Sequence, residues 1–190
     1  MDTTDERCLH APPADAVAEE VRWLTADELD TWHALNLLLA KLPAALGAQL
    51  QCDAGLSFVE YYVLAGLSDQ PNHTARMSNL AVIANSELSR LSHLMRRLEK
   101  RGYVRREPDP TDGRFTNAIL TDEGLAHLTT AAPGHVAAVR NLVFDALGTA
   151  EQQALRTAAY AITAQLDGAC GASDTGGIRE ATAERDRPRV

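Results

Sequence analysis

Apolar positions recur at spacings of three and four along most of this chain, the pattern of amphipathic helices. Leu29, Trp32, Leu35, Leu39, Leu42, Leu46 and Leu50 form the first such stripe. It predicts a helix from about Thr25 to Gln51, opened by a capping box between Thr25 and Glu28. Pro43 should bend this helix without ending it, because the stripe continues beyond; Gly55 is the expected breaker. Ser57, with Glu60 three residues on, then caps a second helix bearing Phe58, Tyr61, Tyr62, Leu64, Ala65 and Leu67, closed by the polar turn at 68–73. A short third helix is expected over 78–84. A fourth runs from an N-cap at Ser86 to about Arg101, with Gly102 at its C-terminus.

The period then changes. Residues 103–107 (YVRRE) alternate apolar and charged, residues 115–120 (FTNAIL) are β-prone, and the Pro/Asp/Gly cluster between them reads as a hairpin turn. Thr121 caps a long helix through Leu125, Leu128, Val136, Val139, Leu142, Val143 and Leu147, with a kink expected at Pro133-Gly134. A last helix from Ala150 to about Leu166 carries Leu155, Ala158, Ala159, Ile162 and Leu166. The expected fold is mainly α: a winged helix-turn-helix with a two-stranded β-hairpin wing and long flanking dimerisation helices. Its parts are an extension at 1–22, a dimerisation helix within 23–56, the winged lobe at 57–120, C-terminal dimerisation helices at 121–167, and a tail at 168–190. The extension and tail are too poor in large apolar residues to fold alone. The flanking helices have more apolar face than one domain can bury, which argues for a homodimer.

Composition narrows the function. Apolar residues make up 45% of the 190, enough for a packed core, and no run of about 18 apolar residues could span a membrane. The N-terminus lacks the basic and apolar regions of a signal peptide, so a cytoplasmic location is expected. Net charge is −8, yet residues 73–114 hold nine basic and five acidic side chains. That segment carries +4 and the rest of the chain −12. An acidic body with one basic segment suits a protein that meets phosphates through one face.

The fourth helix concentrates this chemistry. On a helical wheel Leu88, Leu91, Leu94, Met95 and Leu98 form one arc, and Ser86, Ser89, Arg90, His93 and Arg97 the opposite one. Small donors near the N-terminus and guanidinium groups further along are what a major-groove helix needs: Arg can hold guanine by two bonds, and Ser serves several bases. A plain amphipathic surface helix would show the same stripe, but the hairpin that follows at once, with Arg114 at its tip, favours the groove.

Residues 89–124 resemble the core of the MarR (multiple antibiotic resistance regulator) family. The family's wing pattern stands here as Asp112, Gly113 and Arg114, followed by Leu120-Thr121-Asp122-Glu123-Gly124, and Leu98, Glu99, Gly102, Val104 and Arg105-Arg106 also match. The resemblance covers roughly 25–167. It implies a two-fold dimer joined by the first and last two helices, with recognition helices in successive major grooves of a pseudo-palindromic double-stranded DNA operator. It implies wings in the flanking minor grooves, with Arg114 the minor-groove residue and Asp112 orienting it; a simple turn salt bridge would use the same pair. Gly113 stands where the family often has a larger or basic residue, which removes a phosphate contact. Function is then expected to be transcriptional repression released by a small effector.

Family members often hold an aromatic acid between the DNA-binding lobe and the dimer helices. Trp32, His33, Asn36, Tyr61 and Tyr62 are the candidate lining, with core packing the competing role for Trp32 and the tyrosines. Three dispersed cysteines, Cys8, Cys52 and Cys170, suggest neither a disulfide framework nor zinc. Oxidant sensing through Cys8 or Cys52 is one alternative, although neither has an electropositive setting; a winged-helix protein-interaction module is another. The six histidines lack metal-ligand spacing. No phosphate loop, nucleophile elbow or zinc-protease motif is present, so no enzyme and no cofactor is expected.

Overall fold

The computed structural model describes residues 21–84 and 87–169. The expected extension, apart from its last two residues, and nearly all of the expected tail lie outside them, as do Cys8, Cys170 and Ser86. Residues up to Ala40 form one compact unit and those from Lys41 onward another; the boundary falls within the first helix.

Helix α1 spans Ala26–Ala54. Its capping box is present: Thr25 N–H donates to Glu28 Oε2 at 2.8 Å, and Glu28 N–H to Thr25 Oγ1 at 3.2 Å. Gly55 ends it with φ +63°, a conformation that costs glycine little. Helix α2 (Phe58–Ser68) opens on the predicted box between Ser57 and Glu60. Strand β1 (Thr74–Arg76) and helix α3 (Met77–Ile83) follow, then helix α4 (Leu88–Lys100). Glu87 occupies the N-cap of α4 in extended backbone, so the helix opens one residue later than an N-cap at Ser86 predicts.

Strands β2 (Val104–Pro108) and β3 (Thr116–Leu120) form the predicted hairpin. The sheet, however, has three antiparallel strands in the order β1-β3-β2. The two-residue-period signal cannot reveal β1, which is three residues long and is defined by pairing Thr74, Ala75 and Arg76 with Ile119, Ala118 and Asn117. Helix α5 (Asp122–Val139) is capped by Thr121, whose hydroxyl accepts from Gly124 N–H at 3.0 Å. The α-helical assignment continues through Pro133, and the departure from it comes later, in a π turn at Arg140–Phe144 where Asp145 N–H reaches the Arg140 carbonyl. Helix α6 covers Thr149–Ala169, so the expected tail begins two residues inside a helix.

Within the second unit, Leu50, Leu56, Val63, Leu64, Leu67, Leu80, Leu91, Met95 and Leu98 are fully buried. Four elements, α1, α2, α3 and α4, thus share one core. Helix α4 seals it with Leu91, Leu94, Met95 and Leu98, which leaves its other face to solvent. Leu88, placed on the apolar arc by the wheel, is 52% exposed; it sits in the first turn, beyond the reach of this core.

Candidate nucleic-acid interface

The outward face of α4 carries Ser89, Arg90, His93, Arg96 and Arg97, all exposed. Arg90 Nε is 3.8 Å from Glu87 Oε2, with both side chains more than 70% exposed. So long and wet a pair holds the guanidinium weakly. His93 Nδ1 lies 3.3 Å from Arg96 Nη1. Ser89, Arg90 and His93 are thus brought to one face, as the wheel predicts, while Ser86 lies outside the described residues.

Arg97 is differently placed. Its Nε donates to Glu60 Oε1 at 3.1 Å, and Glu60 is almost fully buried. The other oxygen of Glu60 accepts from both the N–H and the hydroxyl of Ser57 at 2.9 Å. Burial alone would raise this carboxyl, but the Ser57 hydrogen bonds and the Arg97 guanidinium together hold it below its usual range. One carboxylate therefore caps α2 and ties it to α4. The sequence shows the cap; the bond to Arg97, 37 residues away, depends on how the two helices pack.

The far end of α4 is fastened in a similar way. Arg101 Nη1 donates to the Gly55 carbonyl at 2.8 Å, and its guanidinium lies 4.7 Å from the Tyr103 ring centroid. His127 stacks on Tyr103 at 4.6 Å and its Nε2 donates to the Ala54 carbonyl at 2.9 Å. These bonds satisfy carbonyls at the end of α1 that the helix itself cannot. Glu99 and Arg106 join α4 to β2 at 2.6 Å, and Arg105 pairs with Glu107 along β2.

At the wing tip, Arg114 is 87% exposed yet held by Asp112. Its Nε donates to Asp112 Oδ1 at 3.0 Å and its Nη2 to Oδ2 at 2.8 Å, a fork that fits a carboxylate edge to edge. Asp112 Oδ1 also accepts Arg114 N–H at 3.1 Å. The guanidinium beside it, with this backbone bond, keeps the Asp112 carboxyl below its ordinary range. Asp109 escapes the sequence reading. It is buried, its Nε partner is Arg76 at 2.9 Å, and its carboxyl is held far below the usual range, first by the Thr111 hydroxyl, then by Thr111 N–H and Arg76. The only sequence signal was Asp-Pro-Thr, a side chain placed to bond the backbone two residues on.

The candidate effector residues are described in their own units. In the first, Trp32 is half-exposed, His33 is exposed, and Asn36 Nδ2 donates to the Trp32 carbonyl at 2.8 Å. In the second, Tyr61 is buried and Tyr62 half-exposed, in a cluster with Phe58 and His135. The Tyr61 and His135 rings are 4.4 Å apart, and His135 Nδ1 is 3.3 Å from Gln49 Oε1. Burial raises the Tyr61 hydroxyl and lowers His135, so both favour their neutral forms. Cys52 is an exposed free thiol. No group of three or more His, Cys, Asp or Glu side chains among the described residues is arranged to hold a metal ion, and no helix there is long and apolar enough to cross a membrane.

Comparison with known proteins agrees with this geometry. The sequence profile of the MarR family matches residues 54–114, which run from the end of α1 to the wing tip. The chain is 27% identical over 135 residues to the transcriptional repressor MprA of Escherichia coli K12, covering 71% of this chain and 73% of that protein. Among solved structures it is similar to AbsC, a MarR family regulator of Streptomyces coelicolor, with 36% identity and a TM-score of 0.74 over 77% of this chain and 99% of that one. It is similar also to Sco3205 of the same organism, a MarR family transcriptional regulator solved in complex with DNA. There the identity is 45% and the TM-score 0.74, over 76% of this chain and 91% of the other. With that identity across nine-tenths of a relative, and with the three-stranded wing and exposed basic α4 in place, this chain belongs to the MarR family of transcriptional regulators.

Proposed function

We propose that the protein binds double-stranded DNA sequence-specifically as a homodimer and represses transcription until a small aromatic effector releases it. As a MarR regulator it is not an enzyme. The observation that carries the reading is the pairing of two exposed cationic elements in one lobe. The α4 face offers Ser89, Arg90 and His93, and the hairpin beyond it presents Arg114. The related Sco3205 was solved with DNA, and MprA is named a repressor. In vitro selection from a random DNA pool is expected to return a pseudo-palindrome; recovery of no preferred sequence would overturn the proposal.

Arg90 reads base edges in this scheme, because it stands in the first turns of α4 and its only described ion pair is long and exposed. Arg90→Ala is expected to lower affinity for the selected operator by roughly 1–3 kcal/mol and to relax sequence preference. An equal loss on operator and random DNA would make Arg90 a phosphate contact. Arg97, held by Glu60, serves in part to set the tilt of α4, with its outer guanidinium edge left for phosphate.

The dimer rests on apolar surface. Leu29, Trp32, Leu37, Leu38 and Leu39 are exposed in the first unit, and Leu155, Tyr160, Ile162 and Leu166 on α6 in the second. Monomers seldom leave so many large apolar side chains wet, and a second copy would cover both sets. Sedimentation equilibrium is expected to give a dimer at micromolar concentration, and a well-folded monomer there would refute it. The effector would meet the ring cluster of Tyr61, Tyr62 and His135 on one side and Trp32, His33 and Asn36 on the other. Quenching of tryptophan fluorescence by an aromatic carboxylate, with parallel loss of operator binding, is the corresponding check.

A further inference from the structure

The wing tip is a loop that the strand ladder does not hold. The last β2–β3 pair is Pro108 with Thr116, so residues 109–115 lie beyond the regular register. Ordering the backbone of a free loop costs about 1–2 kcal/mol per residue. Something other than strand pairing must therefore keep Arg114 in place.

Asp109 supplies the inner bonds. Its Oδ1 accepts from Thr111 N–H at 2.8 Å, from the Thr111 hydroxyl at 2.6 Å and from Asp112 N–H at 3.4 Å. Its own N–H donates to the Phe115 carbonyl at 2.9 Å, and Phe115 N–H to the Asp112 carbonyl at 3.0 Å. The remaining oxygen of Asp109 takes Arg76 Nε at 2.9 Å, and the Arg76 guanidinium also lies 4.5 Å from the centroid of the Phe115 ring. Arg76 belongs to the other side of the sheet. It ends β1 opposite Asn117 and is the N-cap of α3, so it is rooted in the helix-turn-helix. The connections run from Arg76 to Asp109, from Asp109 to Asp112, and from Asp112 to the Arg114 fork.

We infer that Arg76 and Asp109 are positioning residues for DNA binding, fixing the wing tip to the helix-turn-helix so that Asp112 presents Arg114 at a set distance from α4. The inference rests on the reading of Arg114 as a DNA contact. It gives β1 a purpose, since that strand carries Arg76 to the loop. It also accounts for a nearly buried carboxylate in an otherwise exposed tip: the charge is tolerable there because it is paired and hydrogen-bonded.

Charge makes the test sharp. Asp109 is negative, and phosphate repels it, so losing that charge should by Coulomb's law alone tighten DNA binding. Positioning predicts the reverse. Operator binding is measured at fixed salt by fluorescence anisotropy for wild type, Asp109→Asn, Arg76→Gln and Arg114→Ala, and for Asp109→Asn and Arg76→Gln each combined with Arg114→Ala. Asp109→Asn and Arg76→Gln are each expected to bind about tenfold more weakly in the wild-type background and to have no weakening effect once Arg114 is gone. Amide hydrogen exchange is expected to quicken across 109–115 in both single variants, with α4 protected as before, which also reports directly on whether each variant folds. Unchanged or tighter binding by Asp109→Asn, or equal losses with and without Arg114, would overturn the inference while leaving Arg114 a DNA contact. Unchanged binding by Arg114→Ala would instead overturn the wing reading, and the inference with it.

Discussion

Arg114→Ala is expected to weaken operator binding by tens- to thousands-fold while leaving fold and dimerisation intact. The side chain is 87% exposed, and its described bonds go to Asp112 alone. Its removal therefore opens no cavity and strands no buried group. The size of the effect comes from symmetry: a dimer presents two wings, and each lost contact is worth roughly 1–3 kcal/mol. A narrow A·T-rich minor groove concentrates negative potential and favours arginine there, so the loss should be greatest on operators with A·T-rich flanks. Asp112→Ala should act in the same direction and more mildly, because it frees the guanidinium without deleting it. Equilibrium binding at one salt concentration, with thermal melts alongside, decides the matter. A fall in melting temperature in proportion to lost binding would mark the Asp112–Arg114 pair as a turn brace.

The largest effect on stability is expected from Gly124→Ala. Gly124 is buried in the first turn of α5, against the backbone of Tyr103. An added Cβ would fall inside the van der Waals envelope of the Tyr103 carbonyl oxygen, 2.9 Å from its carbon and 2.8 Å from Leu120 Cδ1. The carbonyl cannot swing aside cheaply, because it accepts Thr121 N–H at 3.0 Å, and Thr121 is the cap of α5. Overpacking against backbone should cost about 3 kcal/mol or more, a fall in melting temperature of roughly 6–12 °C for a chain of this length. Gly113→Ala is the matched control. No atom lies within 4 Å of a Cβ built there, so its melting temperature should stay near that of wild type. Equal melting of the two variants would show that the close approach at Gly124 relaxes freely.

The glycine of the Leu-Thr-x-x-Gly pattern thus has a physical reason that no reading of the motif supplies. The pattern says that glycine belongs at 124; the Tyr103 carbonyl says why. The same division runs through the molecule. Whatever depends on neighbours within a few residues was legible in the chain: the boxes at Thr25–Glu28 and Ser57–Glu60, the stop at Gly55, the Thr121 cap, the hairpin on either side of the Asp/Gly cluster, and the sidedness of α4. Periodicity and capping are short-range signals, and these elements are built from short-range bonds.

The tertiary structure decided what each outward charge does. On a wheel Arg90 and Arg97 are equivalent; in the fold one meets only a long exposed pair with Glu87, while the other is drawn to a buried carboxylate on α2. Arg76 and Asp109 are 33 residues apart and share no motif, yet they face each other across the sheet because β1 adds to the far edge of β3. Arg101 and His127 meet the end of α1 from two other helices. Such partners are selected by packing, where the closeness of two side chains depends on the register and crossing of whole elements, and nothing local to either residue records it.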